Sequence, residues 1–266
     1  MRRLERLPTP QGIGVNQTAT LQLPLGPTYH RLMIRMKNAT GDNIAIAGWR
    51  NFIGEIRLMV NGDTRIEIEA EDLVRLNQFY NQELVPGVLP LFLSLPWART
   101  QAGEDNAAYG TVEGMASFTL EMDLKGTPFS ELEVYAVQSE PRPFAGHLRL
   151  QRFSKQMSLE GVLEVSDLPR GAYNMLGLHV TSSDINRVEV LTNNLKVHES
   201  DRALRSAHYR IAGRRPQTGY THIDFMAENR LAETLPMALN DFRVKLDFTA
   251  ADVNMKIYAM SLQGVI

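Results

Sequence analysis

Leu23-Pro-Leu-Gly-Pro-Thr-Tyr29, then Ile56-Arg-Leu-Met-Val-Asn-Gly62, then Glu71-Asp-Leu-Val-Arg-Leu-Asn-Gln-Phe-Tyr80: this run of blocks occurs twice in the chain. The second occurrence is Leu168-Pro-Arg-Gly-Ala-Tyr173, Val188-Glu-Val-Leu-Thr-Asn-Asn194 and Ser200-Asp-Arg-Ala-Leu-Arg-Ser-Ala-His-Tyr209. The halves also end alike, with Phe118–Leu124 against Phe242–Phe248 and Val134-Tyr-Ala-Val137 against Ile257-Tyr-Ala-Met260. Blocks recurring in one order point to two copies of one domain. On this pairing Tyr29 answers to Tyr173, Asp72 to Asp201, Tyr80 to Tyr209 and Phe118 to Phe242. The spacing between copies shrinks along the chain, so the first copy has the longer connections, residues 41–52 among them.

The blocks have the two-residue period of strands. Leu21 and Leu23 share one face, as do Leu32, Ile34 and Met36, and then Ile56, Leu58 and Val60. Asn61-Gly62 is a hairpin turn, because both residues tolerate positive φ, and Thr64–Ile68 returns across it. Residues 69–81 change period: Leu73, Leu76 and Tyr80 mark a short amphipathic helix. Strands follow at 89–95, 116–124 and 132–138, with 98–114 expected as a long surface loop. The second copy offers strands at 161–165, 175–180, 187–191, 195–198, 221–226, 242–248 and 253–260, and a helix capped by Ser200. Short strands at this spacing predict an all-β fold of two tandem eight-stranded jelly-roll sandwiches, a double jelly roll, with short helices in its loops. The predicted boundaries are an N-terminal arm at 1–14, a first sandwich at 15–139, a linker at 140–145 and a second sandwich at 146–266.

At 266 residues the chain accommodates two domains of ordinary size. A net charge of −2 gives no general footprint for nucleic acid, so direct nucleic-acid binding is not expected. The absence of cysteine excludes disulfides, zinc–thiolate sites and thiol catalysis. The N-terminus lacks the apolar core of a secretory signal, and no stretch has the length of a membrane helix. A soluble protein made in a cytoplasm is expected.

The residues assemble no recognisable catalytic set. His30, His147, His179, His198, His208 and His222 include no His-x-His pair, and His198-Glu199 project to opposite faces of a strand. Nucleophile elbows, phosphate loops and metalloprotease motifs are absent. Glu104, Asp105, Asp241 and Asp247 read as solvated, and Asp184 and Asp201 read as turn formers that could also serve calcium. No enzymatic activity and no cofactor are expected. Candidate interface residues are Arg2, Arg3 and Arg6 of the arm, Trp49 and Trp97 in long connections, and the doublet Arg214-Arg215. The arm is either a disordered tail or ordered against a neighbour or membrane. The tryptophans are lids or interface anchors, and the doublet is a solvated loop or a subunit contact.

Val165-Ser-Asp-Leu-Pro-Arg-Gly-Ala-Tyr173, Tyr220-Thr-His-Ile-Asp-Phe-Met-Ala-Glu228 and Asp241–Asp247 resemble the second domain of corticovirus-type major capsid proteins. Leu21-Gln-Leu-Pro-Leu-Gly-Pro-Thr-Tyr29 is similar to the start of their first. The resemblance implies a bacteriophage coat protein in the virion. It would form homotrimers of pseudo-hexagonal outline that tile an icosahedral capsid over an internal membrane, beside a vertex protein and membrane proteins. Structural calcium is also known in that family, with no residue set here to carry it over. The alternative is a tandem β-sandwich binding module or spike for carbohydrate or receptor, which requires an exposed aromatic platform.

Overall fold

Alternating apolar and polar side chains draw nearly half of the chain into strands, because one face of each strand can then leave water while the other stays in it. The computed structural model describes residues 1–264, which fall into two units.

The first unit comprises residues 1–78 and 82–151. Its strands are β1 (Arg3–Arg6), β2 (Thr18–Gln22), β3 (Thr28–Asn38), β4 (Ile53–Val60), β5 (Asp63–Glu69), β6 (Val88–Phe92), β7 (Phe118–Leu124) and β8 (Phe129–Ser139). They form two antiparallel sheets ordered β1-β8-β3-β6 and β2-β7-β4-β5. Helices α1 (Trp49–Phe52), α2 (Ala70–Phe79) and α3 (Gln101–Asp105) occupy the connections.

The second unit takes Phe79–Asn81 together with the chain from Arg152 onward. Its strands are β9 (His147–Met157), β10 (Gly161–Val165), β11 (Tyr173–Val180), β12 (Ile185–Thr192), β13 (Leu195–Asp201), β14 (Thr221–Asp224), β15 (Leu235–Pro236), β16 (Phe242–Phe248) and β17 (Val253–Gln263), with helix α4 (Arg202–Ile211) after β13. The orders β9-β17-β11-β14 and β10-β16-β12-β13 repeat those of the first unit strand for strand. One apolar cluster joins both sheets, with Leu178 and Val180 of β11 and Ile257 of β17 meeting Val188 and Val190 of β12 and Phe242, Val244 and Leu246 of β16.

The repetition extends to single hydrogen bonds. Asn61 has φ 53° and accepts the backbone N–H groups of Ala116 and Ser117 on Oδ1, at 2.6 and 3.1 Å. Asn193 has φ 47° and accepts those of Asn240 and Asp241, both at 3.0 Å. The Tyr29 hydroxyl donates to the Pro24 carbonyl, and that of Tyr173 to the Pro169 carbonyl. The β4–β5 and β12–β13 pairs are each interrupted by a bulge at one point of the hairpin, between Leu58 and Met59 and between Val190 and Leu191. Insertions matched in this way mark shared design, since each re-aims the strand that carries it.

Several features depart from the sequence reading. Residues 3–6 are not a separate arm but the edge strand β1 of the first sheet, paired with β8. After the prolines of 140–145, His147–Met157 runs as one continuous strand, and the division between the units falls within it, after Gln151. Segment 98–114 is no plain surface loop: Tyr109 is fully buried, forms a bridge with Tyr29 and gives its hydroxyl to the Leu148 carbonyl. The cap of α4 is Asp201, which accepts the Leu204 N–H at 2.8 Å, while Ser200 is buried behind it. Helices α2 and α4 each begin directly after the hairpin's return strand, so Asp72 does not correspond to Asp201 nor Tyr80 to Tyr209. Those two pairs lie three residues out of register.

Asn61→Ala and Asn193→Ala each strip two backbone N–H groups of their acceptor and leave alanine at positive φ. Each should cost about 2 kcal/mol in urea unfolding. A midpoint equal to the parent's would contradict this role.

Candidate functional site

A buried cluster of polar side chains lies on the face of β11 and β14 turned away from the second unit's apolar core. Leu178 and Ile223 point into that core, so the alternation sends His179, His222 and Asp224 the other way. Phe79 stacks on the His222 ring at 3.9 Å and meets Tyr209 of α4 edge-on at 5.7 Å. Tyr80 sits beside His179.

The hydrogen bonds assign the protons. The N–H of Gln217 approaches His222 Nε2 at 3.4 Å, which makes that nitrogen an acceptor. His222 Nδ1 then carries a proton and donates to His179 Nδ1 at 2.9 Å. His179 holds its own proton on Nε2, 3.3 Å from the Tyr80 hydroxyl. Both rings are neutral in this chain of bonds. Desolvation enforces that state: it pulls His179 down to about 3, and it pulls His222 well below its usual value with help from the neighbouring His179.

Beside the histidines Arg214 and Asp224 form a buried ion pair at 2.7 Å. The guanidinium also donates to Asn229 Oδ1 and to the Met226 carbonyl, and lies 4.8 Å from the centre of the Tyr80 ring. Asp224 accepts the Met226 N–H, and its own N–H donates to the Tyr209 hydroxyl. Burial pushes the Asp224 carboxyl upward, and Arg214 opposes that push. Every arm of the pair is satisfied and closed from solvent, which suits a structural lock and not proton transfer to a substrate.

The remaining candidates are placed as follows. Arg214 is interior, so it is neither a solvated loop residue nor a subunit contact, and only Arg215 of the doublet is exposed. Trp49 is buried in the first unit and offers no exposed anchor, while Trp97 is half-buried and meets Phe92 in a T-shaped contact. Arg2 bonds Glu104 and Asp105 at 2.6 Å each, Arg6 bonds Glu133 at 2.7 Å, and Arg3 lies 3.7 Å from Glu5. The basic character of residues 1–14 is thus largely matched by carboxylates of the same unit. No group of three or more His, Asp or Glu able to hold a metal occurs among the described residues, so the structural calcium implied by the resemblance has no fitting set there. Sequence reasoning missed the histidine pair and Asp224, since nothing in Thr221–Asp224 says which face is covered.

A family model described as viral coat protein P2 N-terminal domain matches residues 4–139, and one described as viral coat protein P2 C-terminal domain matches residues 147–265. No curated protein matches the sequence. Among solved structures, the major capsid protein P2 of bacteriophage PM2 superposes with a TM-score of 0.88 at 20% identity, over 98% of this chain and 97% of that one. A chain from Sulfolobus turreted icosahedral virus gives 0.63 at 12% identity, covering 98% and 90%. A chain of the PBCV-1 virus capsid gives 0.61 at 9%, covering 98% and 93%. At such identities the likeness is one of fold, the double jelly roll.

Below pH 6.5 an unfolded chain protonates its histidines while the folded second unit holds His179 neutral down to about 3. The folded value lies below the unfolded one, so this stability is complete above about pH 6.5 and lost on acidification, at about 1.4 kcal/mol per pH unit per histidine. The parent's melting temperature should fall between pH 7 and pH 5, and less steeply in His179→Gln; parallel slopes would refute the assignment. Arg214→Met leaves a carboxylate buried without its cation and should cost roughly 3–5 kcal/mol in denaturant unfolding. An unaltered midpoint would show that the pair carries no structural weight.

Proposed function

Because the chain belongs to the viral coat protein P2 family through both of its halves, we propose that it is the major capsid protein of an icosahedral virus, assembled as trimers of pseudo-hexagonal outline. It is a structural protein of the virion and not an enzyme. The observation that carries the trimeric reading is the repetition of one strand order, with its asparagine hinge, in both units. Three chains of two like sandwiches present six like edges, and a threefold assembly then fills a hexagonal lattice with one gene product. An internal membrane beneath the shell and a separate vertex protein complete this reading, on the strength of the corticovirus-type resemblance.

The binding-module alternative is not favoured. It needs aromatic rings presented to solvent, and the large exposed apolar side chains of the described residues are aliphatic or methionine. Tyr29, Tyr109, Tyr209, Phe118 and Phe242 are all interior.

The purified protein should scatter light with three times the mass of one chain and hold that mass on dilution to micromolar concentration. A monomer across the same range would overturn the trimeric reading.

A further inference from the structure

The two units differ at one edge. In the first unit the outer side of β5 is closed by the leading end of β9, through a parallel bridge between Ile66 and Leu150. Leu150 is buried there. In the second unit the corresponding strand β13 pairs, among the described residues, with β12 alone, and its outer side is open, with Leu195 68% and Val197 42% exposed. An open strand edge bearing apolar side chains invites pairing unless something covers it.

The duplication says which strand that is. Strand β9 leads the second unit as β1 leads the first, and their sequences agree: Arg3-Leu-Glu-Arg-Leu7 against Arg149-Leu-Gln-Arg-Phe153. Leu4 thus stands where Leu150 stands, yet Leu4 is 60% exposed, and among the described residues β1 pairs only with β8. On the other side, Ile66 lies opposite Leu58 and His198 opposite Val190, at matching places in the two bulged hairpins. The Ile66–Leu150 junction therefore has an unused counterpart in every chain, with His198 as one half and Leu4 as the other.

We propose that β1 of a second copy of this chain lies parallel to β13, with the second copy's Leu4 beside His198 of the first. A head-to-tail contact of this kind leaves each copy with one used and one unused half until a ring closes. Closure at three then uses every Leu4 edge and every His198 edge. The inference rests on the trimeric reading above and specifies its contact.

The chain contains no cysteine, so engineered thiols report without interference. In the Leu4→Cys/His198→Cys variant, mild oxidation should give covalent dimers and trimers on a non-reducing gel, ending at three chains and reverting with dithiothreitol, because paired strands bring Cα atoms within disulfide reach. Neither single variant should give trimers, and Leu4→Cys/Val162→Cys, which places the second thiol on the β10 edge, should not ladder. Amides 196–199 should also be protected from deuterium exchange in the trimer, and free exchange there would count against the junction. Trimers by light scattering without a His198-dependent ladder would refute this junction and leave the trimer standing. An intrachain bond would refute it as well, and a persistent monomer would remove both ideas.

Discussion

A single asparagine side chain ties each hairpin tip to the strand that runs beside it. In the first unit Asn61 turns the chain between β4 and β5 and accepts two N–H groups just ahead of β7; Asn193 does the same between β12 and β13 ahead of β16. This anchor sets the register of three strands at once. A slip of one residue would move Leu58, Leu120 and their neighbours from core to solvent, since the side-chain period is two. The requirement falls on the asparagine and less on its successor, which is glycine in one copy and a second asparagine in the other, both at positive φ.

Features that depend on near neighbours were legible in the sequence. Strands β10 and β16 fall at 161–165 and 242–248 as the alternation predicts, and both hairpins sit at their asparagine turns. What escaped depends on partners far along the chain. Arg3–Arg6 has the composition of a loose basic tail, and only β8, from the far end of the same unit, turns it into a strand. Arg214-Arg215-Pro looks solvent-facing until Asp224 and Tyr80 are seen around the first guanidinium. The polar, small-residue tract around Tyr109 hides a close approach: a Cβ on Gly110 would lie 2.2 Å from the Pro143 carbonyl, so glycine there permits packing and not mobility.

The buried ionic cluster gives the second unit a layer that its own repeat does not explain. Phe79 and Tyr80, residues from early in the chain, complete it. An Arg–Asp pair in such a place gains little over a well-packed apolar one, because desolvation offsets most of its Coulomb attraction. Its geometric demands are strict, however: the guanidinium has four partners in fixed directions, and the histidine pair shares one proton along a defined line. The cluster therefore selects one arrangement of Phe79–Asn81 against β11 and β14 more than it deepens the energy well.

The outer sheet faces obey another rule. In the first unit Arg57 is a cation ringed by Glu55, Glu121 and Asp123. At the places of Glu55 and Arg57 the second unit exchanges the signs, with Arg187 and Glu189, while Asp247 keeps the sign of Asp123; Lys196 and Glu199 complete its net. Pairs near the surface are each worth about 1 kcal/mol or less, so exchanging the signs of such a pair costs the fold almost nothing provided they stay complementary. Bonds to the backbone, by contrast, have no inverted equivalent, and the asparagine and tyrosine contacts recur in both copies. Duplication thus left the frame fixed while freeing the charge pattern of each face, and two units with one fold and opposite hubs are not interchangeable to a neighbour.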